Sequence, residues 1–342
     1  MSHLPDQLRN SLLRMGLVKA GSKVSAEPLA GGVSSDIWRI NTCPSICLKR
    51  ALPQLKVAKP WHVDTTRSQS EIDWLRYARS IVGEAVPTVL ADDPEAGAFA
   101  MNYLDPTRWR VWKSELLNGW VDVSVASAVG QVTGQLHAAS ANDTQLAQQF
   151  ATDALFEALR IEPYLLETAR QWPEHAARLT ELAEQTRERH CALVHGDLSP
   201  KNILADGHRI VLLDAECAWY GDPAFDLAFC VTHLMLKQLV LLNNRQRLSA
   251  AISAFIHRWS QTAGAVVPSD TLERSAALLP ALMLARVDGK SPVDYLELPA
   301  AKNCVRRWCG ARLSDPLSDI ESLAQEWFEY ADSHHQRQRS PA

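Results

Sequence analysis

The sequence predicts an α+β chain folded as two lobes, a small sheet-rich N-terminal lobe over residues 1–104 and a larger helical C-terminal lobe over residues 105–342. Three observations predict it. The 342 residues exceed what one ordinary hydrophobic core encloses. Short β-type runs separated by turn residues fill the first third. After Leu104 the apolar spacing changes to the three-to-four-residue period of helices.

In chain order, Val24 to Leu29 reads as a strand that enters a turn at Gly31-Gly32, and strands Ile37 to Asn41 and Ile46 to Arg50 follow. The stretch from Glu71 carries Ile72, Leu75 and Ala78 on one helical face. A strand pair spans Thr88 to Ala91 and Ala98 to Tyr103, with Asp92, Asp93, Pro94 and Gly97 between them. Helical spacing then covers Val121 to Ala139, Ala154 to Ala169 and Ala176 to Arg189. The short strand Ala192 to Val194 enters a polar loop from His195 to Asn202, and strands Ile203 to Ala205 and Arg209 to Leu213 follow. From there to about Tyr330 the pattern is helical.

Composition narrows the function. Hydrophobic residues make up 46% and charged residues 22%, with a net charge of -4 and no basic stripe, so no nucleic-acid partner is expected. The seven cysteines are odd in number and form no CxxC pair, which reads as free thiols in a reducing cytosol. The first residues lack a signal-peptide pattern. The run Leu227 to Leu242 is interrupted by Thr232, His233, Lys237 and Gln238, so it reads as a buried helix rather than a membrane span. A cytoplasmic protein with no membrane partner is expected.

The strongest chemical signal is His195-Gly-Asp-Leu-Ser-Pro-Lys-Asn202, followed by Leu212-Leu-Asp-Ala-Glu216. An Asp, an Asn five positions later and a further Asp at the end of a strand have the spacing of a kinase catalytic loop. Phosphoryl transfer needs a carboxylate that orients the attacking hydroxyl and takes its proton, and hard oxygen ligands that hold magnesium against phosphates. Asp197 fits the first role, and Asn202 and Asp214 fit the second. Glu216 stands two residues after Asp214, and on an extended strand both would share a face and could serve one metal.

This loop, with Tyr220-Gly-Asp-Pro-Ala-Phe-Asp226-Leu-Ala, resembles the aminoglycoside phosphotransferase and choline kinase superfamily, over nearly the whole chain. The resemblance implies a protein-kinase-like fold and the cofactors ATP and Mg2+. It makes Asp226 a structural brace for the catalytic loop, and His195 a packing residue rather than a base. It places Leu29-Ala-Gly-Gly-Val-Ser-Ser35 over the phosphates, where Gly31 and Gly32 let backbone amides approach and Ser34 and Ser35 add hydroxyls. Lys49 becomes the lysine on the α- and β-phosphates, held by Glu71. Met101-Asn-Tyr-Leu104 becomes the connection whose backbone, at Asn102 and Leu104, meets adenine.

A further stretch narrows the acceptor. Lys49-Arg-Ala-Leu-Pro53, then Trp61, Arg67 and Glu71, together with Asp214-x-Glu-x-Ala-x-Tyr-Gly221, is similar to the methylthioribose kinases, which phosphorylate a pentose hydroxyl. Those enzymes have Ser in place of Asn202, a longer chain, and paired arginines where this sequence keeps Arg286 alone. Arg286, Asp288 and Lys290 are the candidate acceptor residues, and Trp109, Trp112 and Trp120 are candidate pocket walls. From Cys217 onward 13 acids face 13 bases, so the carboxylate excess suited to a polycationic aminoglycoside is missing and a neutral sugar or polyol fits better. The competing readings are an aminoglycoside or amino-alcohol phosphotransferase, a protein kinase and a nucleotide-binding pseudokinase regulator. Ser199 stands where protein kinases place a Lys and no DFG or APE segment occurs, while the full set of polar groups speaks against a pseudokinase.

Overall fold

The structure is a computed structural model that describes residues 4–29, 34–54, 63–241 and 243–339. Gly31, Gly32 and Trp61, singled out above, lie outside the described residues.

The chain opens with a helix that the sequence reading did not identify, α1 (Asp6–Arg14). Its signal was present, because Leu4, Leu8 and Leu12 repeat at helical spacing and are buried. Strands β1 (Ala26–Pro28), β2 (Ser35–Ile40) and β3 (Ile46–Ala51) lead to α2 (Arg67–Val82), and β4 (Val89–Asp93) and β5 (Ala98–Asn102) complete an antiparallel sheet in the order β1-β2-β3-β5-β4. A short turn of helix and Gly97, at φ 58°, join β4 to β5.

Side-chain alternation along β3 decides what faces where. Ile46 and Leu48 join Leu8 and Leu12 of α1 in a separate core on one face of the sheet. Cys47 and Lys49 point to the other face, and α2 packs on that side. On α2 the buried positions Arg67, Glu71, Ile72, Trp74, Leu75 and Ala78 follow helical spacing, so Arg67 and Glu71 sit one turn apart on the inward face.

β6 (Arg110–Val111) and α3 (Trp112–Leu117) enter the helical lobe, followed by α4 (Val123–Ser140) and α5 (Thr144–Gln149). The stretch predicted as one helix from Ala154 is continuously helical but not uniform. It runs through α6 (Asp153–Phe156), a wider π-wound segment Glu157–Leu166 that contains Pro163, and α7 (Glu167–Gln171). A proline lacks the amide that a regular ladder needs, which accounts for the local change in winding. Then come α8 (Ala176–Arg187), β7 (Ala192–Val194), β8 (Ile203–Asp206), β9 (Arg209–Leu212), β10 (Trp219–Gly221) and α9 (Pro223–Lys237). The lobe closes with α10 (Arg245–Ala263), α11 (Thr271–Asp288), α12 (Pro299–Ser314) and α13 (Ile320–Arg339). β7 pairs with β10, and β6, β8 and β9 form a three-stranded sheet, so the region after Leu213 begins with a strand rather than a helix.

The central helices are held close. At Gly130 of α4 an added Cβ would sit 2.2 Å from the carbonyl oxygen of Phe255 on α10, so that crossing admits only glycine. α9 is buried at every position. No described helix is long and apolar enough to cross a membrane.

Candidate active site

The catalytic-loop residues take their positions from a buried carboxylate. Asp226 lies in the first turn of α9 and is fully buried. Its oxygens accept the backbone N–H groups of His195 (2.7 Å) and Gly196 (2.9 Å). His137 Nε2 adds a contact at 3.2 Å, and His137 Nδ1 accepts from Trp259 Nε1 at 3.0 Å. Three elements, α9, the loop and α4, therefore meet on one carboxylate, with α10 reaching it through His137, and a buried carboxylate so bonded fixes the loop. Gly196 adopts φ 72°, and an added Cβ there would lie 2.3 Å from the carbonyl oxygen of Cys217. The glycine of the His-Gly-Asp motif is thus required twice, by conformation and by space.

His195 is spoken for on both ring nitrogens. Nε2 donates to the Leu213 carbonyl (3.0 Å), and Nδ1 accepts the N–H of Asp197 (3.2 Å). Burial holds its pKa below the ordinary value, against the pull of Asp226 and Asp197. With its lone pair occupied, the ring is a buried strut and not a base.

Asp197 is buried among donors. Arg160 lies 3.0 Å from Oδ1, Lys201 lies 3.0 Å from Oδ2, and Asn202 Nδ2 donates to Oδ2 at 2.8 Å and to the Asp197 carbonyl at 3.0 Å. Burial alone would raise its pKa, but Arg160 and Lys201 outweigh that and hold it below the usual carboxylate range. Asp197 is therefore a fixed carboxylate at neutral pH.

Across the cleft, Lys49 bonds to Glu71 at 2.6 and 2.8 Å and also to Asp214. One ammonium serves two carboxylates. Burial raises Glu71 to about 7 despite Lys49, whereas Asp214 is held well below its ordinary value because Lys49 and then Lys201 overcome burial. Asp214 adopts φ 66°, a conformation uncommon for a residue with a side chain. Strand β9 has ended at Leu212, and Glu216 stands in a turn. The expectation that Asp214 and Glu216 share the face of an extended strand is thereby corrected. Glu216 turns instead to Arg67, 3.0 Å away.

Arg67 proves to be the most connected side chain of the cleft. It is fully buried and donates to the carbonyls of Ser34 (2.7 Å), Leu52 (2.5 Å), Asp64 (2.8 Å) and Val63 (3.2 Å) as well as to Glu216. It ties the start of β2, the segment after β3, the approach to α2 and the helical lobe to one guanidinium. Ser34 and Ser35 are buried at the entry to β2, and the Ser35 hydroxyl has no partner among the described residues.

Other predicted residues fare differently. Asn102 uses its N–H (3.1 Å) and its side-chain oxygen (2.6 Å) on Thr88, so both serve the β4–β5 edge and leave little to offer a base. Leu104 follows it, half-buried. Arg286 is buried and bonds to Tyr164 Oη (3.0 Å) and to Ser291. Asp288 is committed to Arg306 (2.6 and 2.9 Å) and Trp172 (3.1 Å), which ties α11 to α12, and Lys290 pairs with Glu162 at 2.8 Å. Trp112 is core, and Trp120 is 72% exposed. Sequence reasoning missed Arg160. Its only local signal was a charge between Leu159 and Ile161 in an apolar helical stretch.

Magnesium takes one or two protein oxygens plus phosphates and waters rather than a full protein cage. Asp214 and the amide oxygen of Asn202 are such a donor set, and no cluster of three or more His, Cys, Asp or Glu that could hold a metal occurs among the described residues. The donor chemistry fits a metal shared with a nucleotide.

The sequence model of a family described as "Phosphotransferase enzyme family" matches residues 25–247. Among curated proteins, methylthioribose kinase of Bacillus velezensis is 24% identical over 256 residues, covering 66% of this chain and 64% of that protein. Methylthioribose kinase of Pectobacterium atrosepticum is 22% identical over 254 residues, covering 65% and 62%. The chain thus spans just under two thirds of the length of these relatives. Among solved structures, the macrolide 2'-phosphotransferase MphH of Brachybacterium faecium superposes with a TM-score of 0.50 at 19% identity, covering 92% of this chain and 99% of that one. At this identity the likeness shows the fold alone.

Proposed function

The chain belongs to the phosphotransferase enzyme family, and from that premise we propose that it transfers the γ-phosphoryl group of ATP to a hydroxyl of a small molecule, with Asp197 as the catalytic residue. The observation that carries the reading is the ionised Asp197, fixed by Arg160, Lys201 and Asn202 beside Asp214 and the Lys49–Glu71 pair.

In this reading residues 1–104 hold the nucleotide and residues 105–342 supply the catalytic loop and the acceptor site. Asp214 and Asn202 hold magnesium, which when bound neutralises charge on the phosphates. Lys49 is positioned for the α- and β-phosphates by Glu71, and nucleotide binding gives its ammonium a third claimant. Ser35 offers to the phosphates its hydroxyl, which has no partner among the described residues. Asp197 accepts a hydrogen bond from the acceptor hydroxyl, aligns its oxygen with the γ-phosphorus and takes its proton as the new O–P bond forms and the bridging P–O bond to ADP breaks. Arg160 and Lys201 keep Asp197 ionised and oriented. Glu216 acts through Arg67, by holding the two lobes in register, rather than as a direct metal ligand.

The named activity of the curated relatives supports a sugar or polyol hydroxyl as the acceptor. The test is ATP turnover over a panel of pentoses, polyols, hydroxy acids, amino alcohols and aminoglycosides. Asp197→Asn is expected to lower kcat by about 10²–10⁴-fold with the fold intact by circular dichroism. An unchanged rate in that variant overturns the assignment.

A further inference from the structure

One face of α9 carries Asp226, Phe229, His233 and Lys237, spaced three or four residues apart. Asp226 braces the catalytic loop at one end. At the other end Lys237 is fully buried, and its Nζ donates to the His233 carbonyl at 3.2 Å. No carboxylate bonds to it among the described residues. It lies 4.8 Å from the centroid of the Tyr295 ring. Around it, His233 Nε2, Tyr295 Oη and Arg286 Nε are buried and have no hydrogen-bond partner among the described residues. Four unsatisfied or under-satisfied polar groups in one place are costly in a folded core.

The charges that face this cluster are mostly positive. They are Arg286 from α11, Lys113 from α3, Lys201 from the catalytic loop, and Asp294 from the segment after α11. Asp294 is taken by Lys113 at 2.6 and 2.8 Å and is 73% exposed, at the rim. Lys201 is taken by Asp197. Arg286 meets a phenol and Ser291 but no carboxylate among the described residues. Burial and the neighbouring cations push His233 well below its ordinary pKa, and burial with Lys113 brings Lys237 down to about 7.

The cluster is joined to the catalytic residue by a continuous wall. Arg160, which holds Asp197, stacks over Tyr164 (5.5 Å) and Phe229 (5.6 Å). The Tyr164 ring lies under Arg286 at 5.6 Å, and the Phe229 ring lies 5.2 Å from His233.

We propose that the acceptor carries an anionic group, a carboxylate or a phosphate, which Lys237, Arg286, His233 and the Tyr295 hydroxyl receive while its hydroxyl meets Asp197. The proposal rests on the kinase reading and sharpens its acceptor. A neutral polyol would leave Lys237 and Arg286 without countercharge. A polycation would be repelled. An anion supplies the one thing the cluster lacks, because a buried cation is tolerated when paired and charge-assisted hydrogen bonds are the strong ones.

The test compares matched acceptors, a polyol or sugar with its sugar acid and its phosphate ester, in ATP–magnesium turnover. An anionic member is expected to exceed its neutral counterpart in kcat/KM by about 100-fold, from two charge-assisted contacts. The acid and the ester arms tell which anion is used. Lys237→Met is expected to lower the anionic-to-neutral ratio of kcat/KM at least about tenfold through KM, and the isosteric Tyr295→Phe about 3–10-fold. The phenylalanine variant keeps the test open if the methionine variant does not fold. Turnover that depends on Asp197 but shows no advantage for anions overturns this inference and leaves the kinase reading standing. If no acceptor gives turnover that depends on Asp197, the kinase reading falls, and the cluster is judged by calorimetric titration of inorganic phosphate and of acetate into the ADP–magnesium-saturated protein. Binding of either anion that Lys237→Met weakens at least about tenfold supports the site, whereas no binding, or equal binding in both proteins, overturns it.

Discussion

Two regions of the molecule handle buried charge in opposite ways. Around β3 and α2, Lys49 meets Glu71 and Asp214, and Arg67 meets Glu216 and four carbonyls. Around the far end of α9, Lys237 and Arg286 meet carbonyls, hydroxyls and rings but no carboxylate among the described residues. Both sides are buried, so the difference lies in pairing. A paired network carries its own geometry and stands before any ligand arrives. An unpaired cluster is destabilising until something of opposite sign completes it.

The largest break falls on the paired side. Arg67→Ala strands Glu216 and four carbonyls, and is expected to lower unfolding free energy by about 3–5 kcal/mol, read by urea denaturation. Arg67→Ala combined with Glu216→Gln should recover part of that loss, because no buried charge then remains unpaired. Lys49→Met removes the lysine proposed for the phosphates and is expected to lower kcat/KM by about 10²–10³-fold. A loss confined to stability, with turnover per folded molecule unchanged, would contradict the assignment of Lys49 to the phosphates.

The unpaired side predicts the opposite sign. Burial depresses Lys237 to about 7 from the ordinary 10.5, so the unfolded chain holds more protons than the folded one between those pH values. The penalty is fully present below about pH 7 and fades as pH rises through 10.5. Lys237→Met should therefore be more stable than the natural protein by about 1–3 kcal/mol at pH 7, with the gap narrowing toward pH 10, measured by thermal unfolding without an acceptor. A destabilised methionine variant across that range would show that Lys237 is already compensated. The smallest effect belongs to the rim. Asp294→Asn breaks an exposed pair with Lys113 and should change stability by less than about 1 kcal/mol, yet it frees Lys113 and should tighten an anionic acceptor about 2–5-fold in KM.

The same contrast explains what the sequence disclosed. The geometry of the loop from His195 was legible because Asp197 and Asn202, which bond to each other, stand five positions apart in one short stretch. Lys49 and Glu71 were legible through strand and helix order, and Asp226 through the motif that follows the loop. The two-lobed α+β fold followed from the change of apolar period near Leu104. What escaped depends on partners far apart in the chain. Arg160 reaches Asp197 across 37 positions of sequence numbering, and Arg67 reaches Glu216 across 149. Glu216 was misplaced because a two-residue spacing implies a shared face only on an extended strand, and Asp214 leaves that conformation. His233 and Lys237 were noticed only as interruptions of an apolar run. Balanced counts of acids and bases after Cys217 do not report how charge is sorted in space, so the cluster around Lys237 and Arg286 left no trace in composition.

α9 has one more consequence. Asp226 and Lys237 are three turns apart on a single rigid rod, so their backbone separation is about 16 Å and cannot drift with loop motion. On the acceptor binding proposed above, the helix works as a ruler, graduated by Phe229 and His233, that sets how far a hydroxyl can stand from a charge in any molecule that fits. Deleting one residue from the rod would turn its far end by about 100° and shorten it by about 1.5 Å, losing the charge mark while leaving the catalytic mark in place. Acceptor length in this protein is then counted in helical turns, and relatives that measure a different acceptor should differ in the marks on this rod.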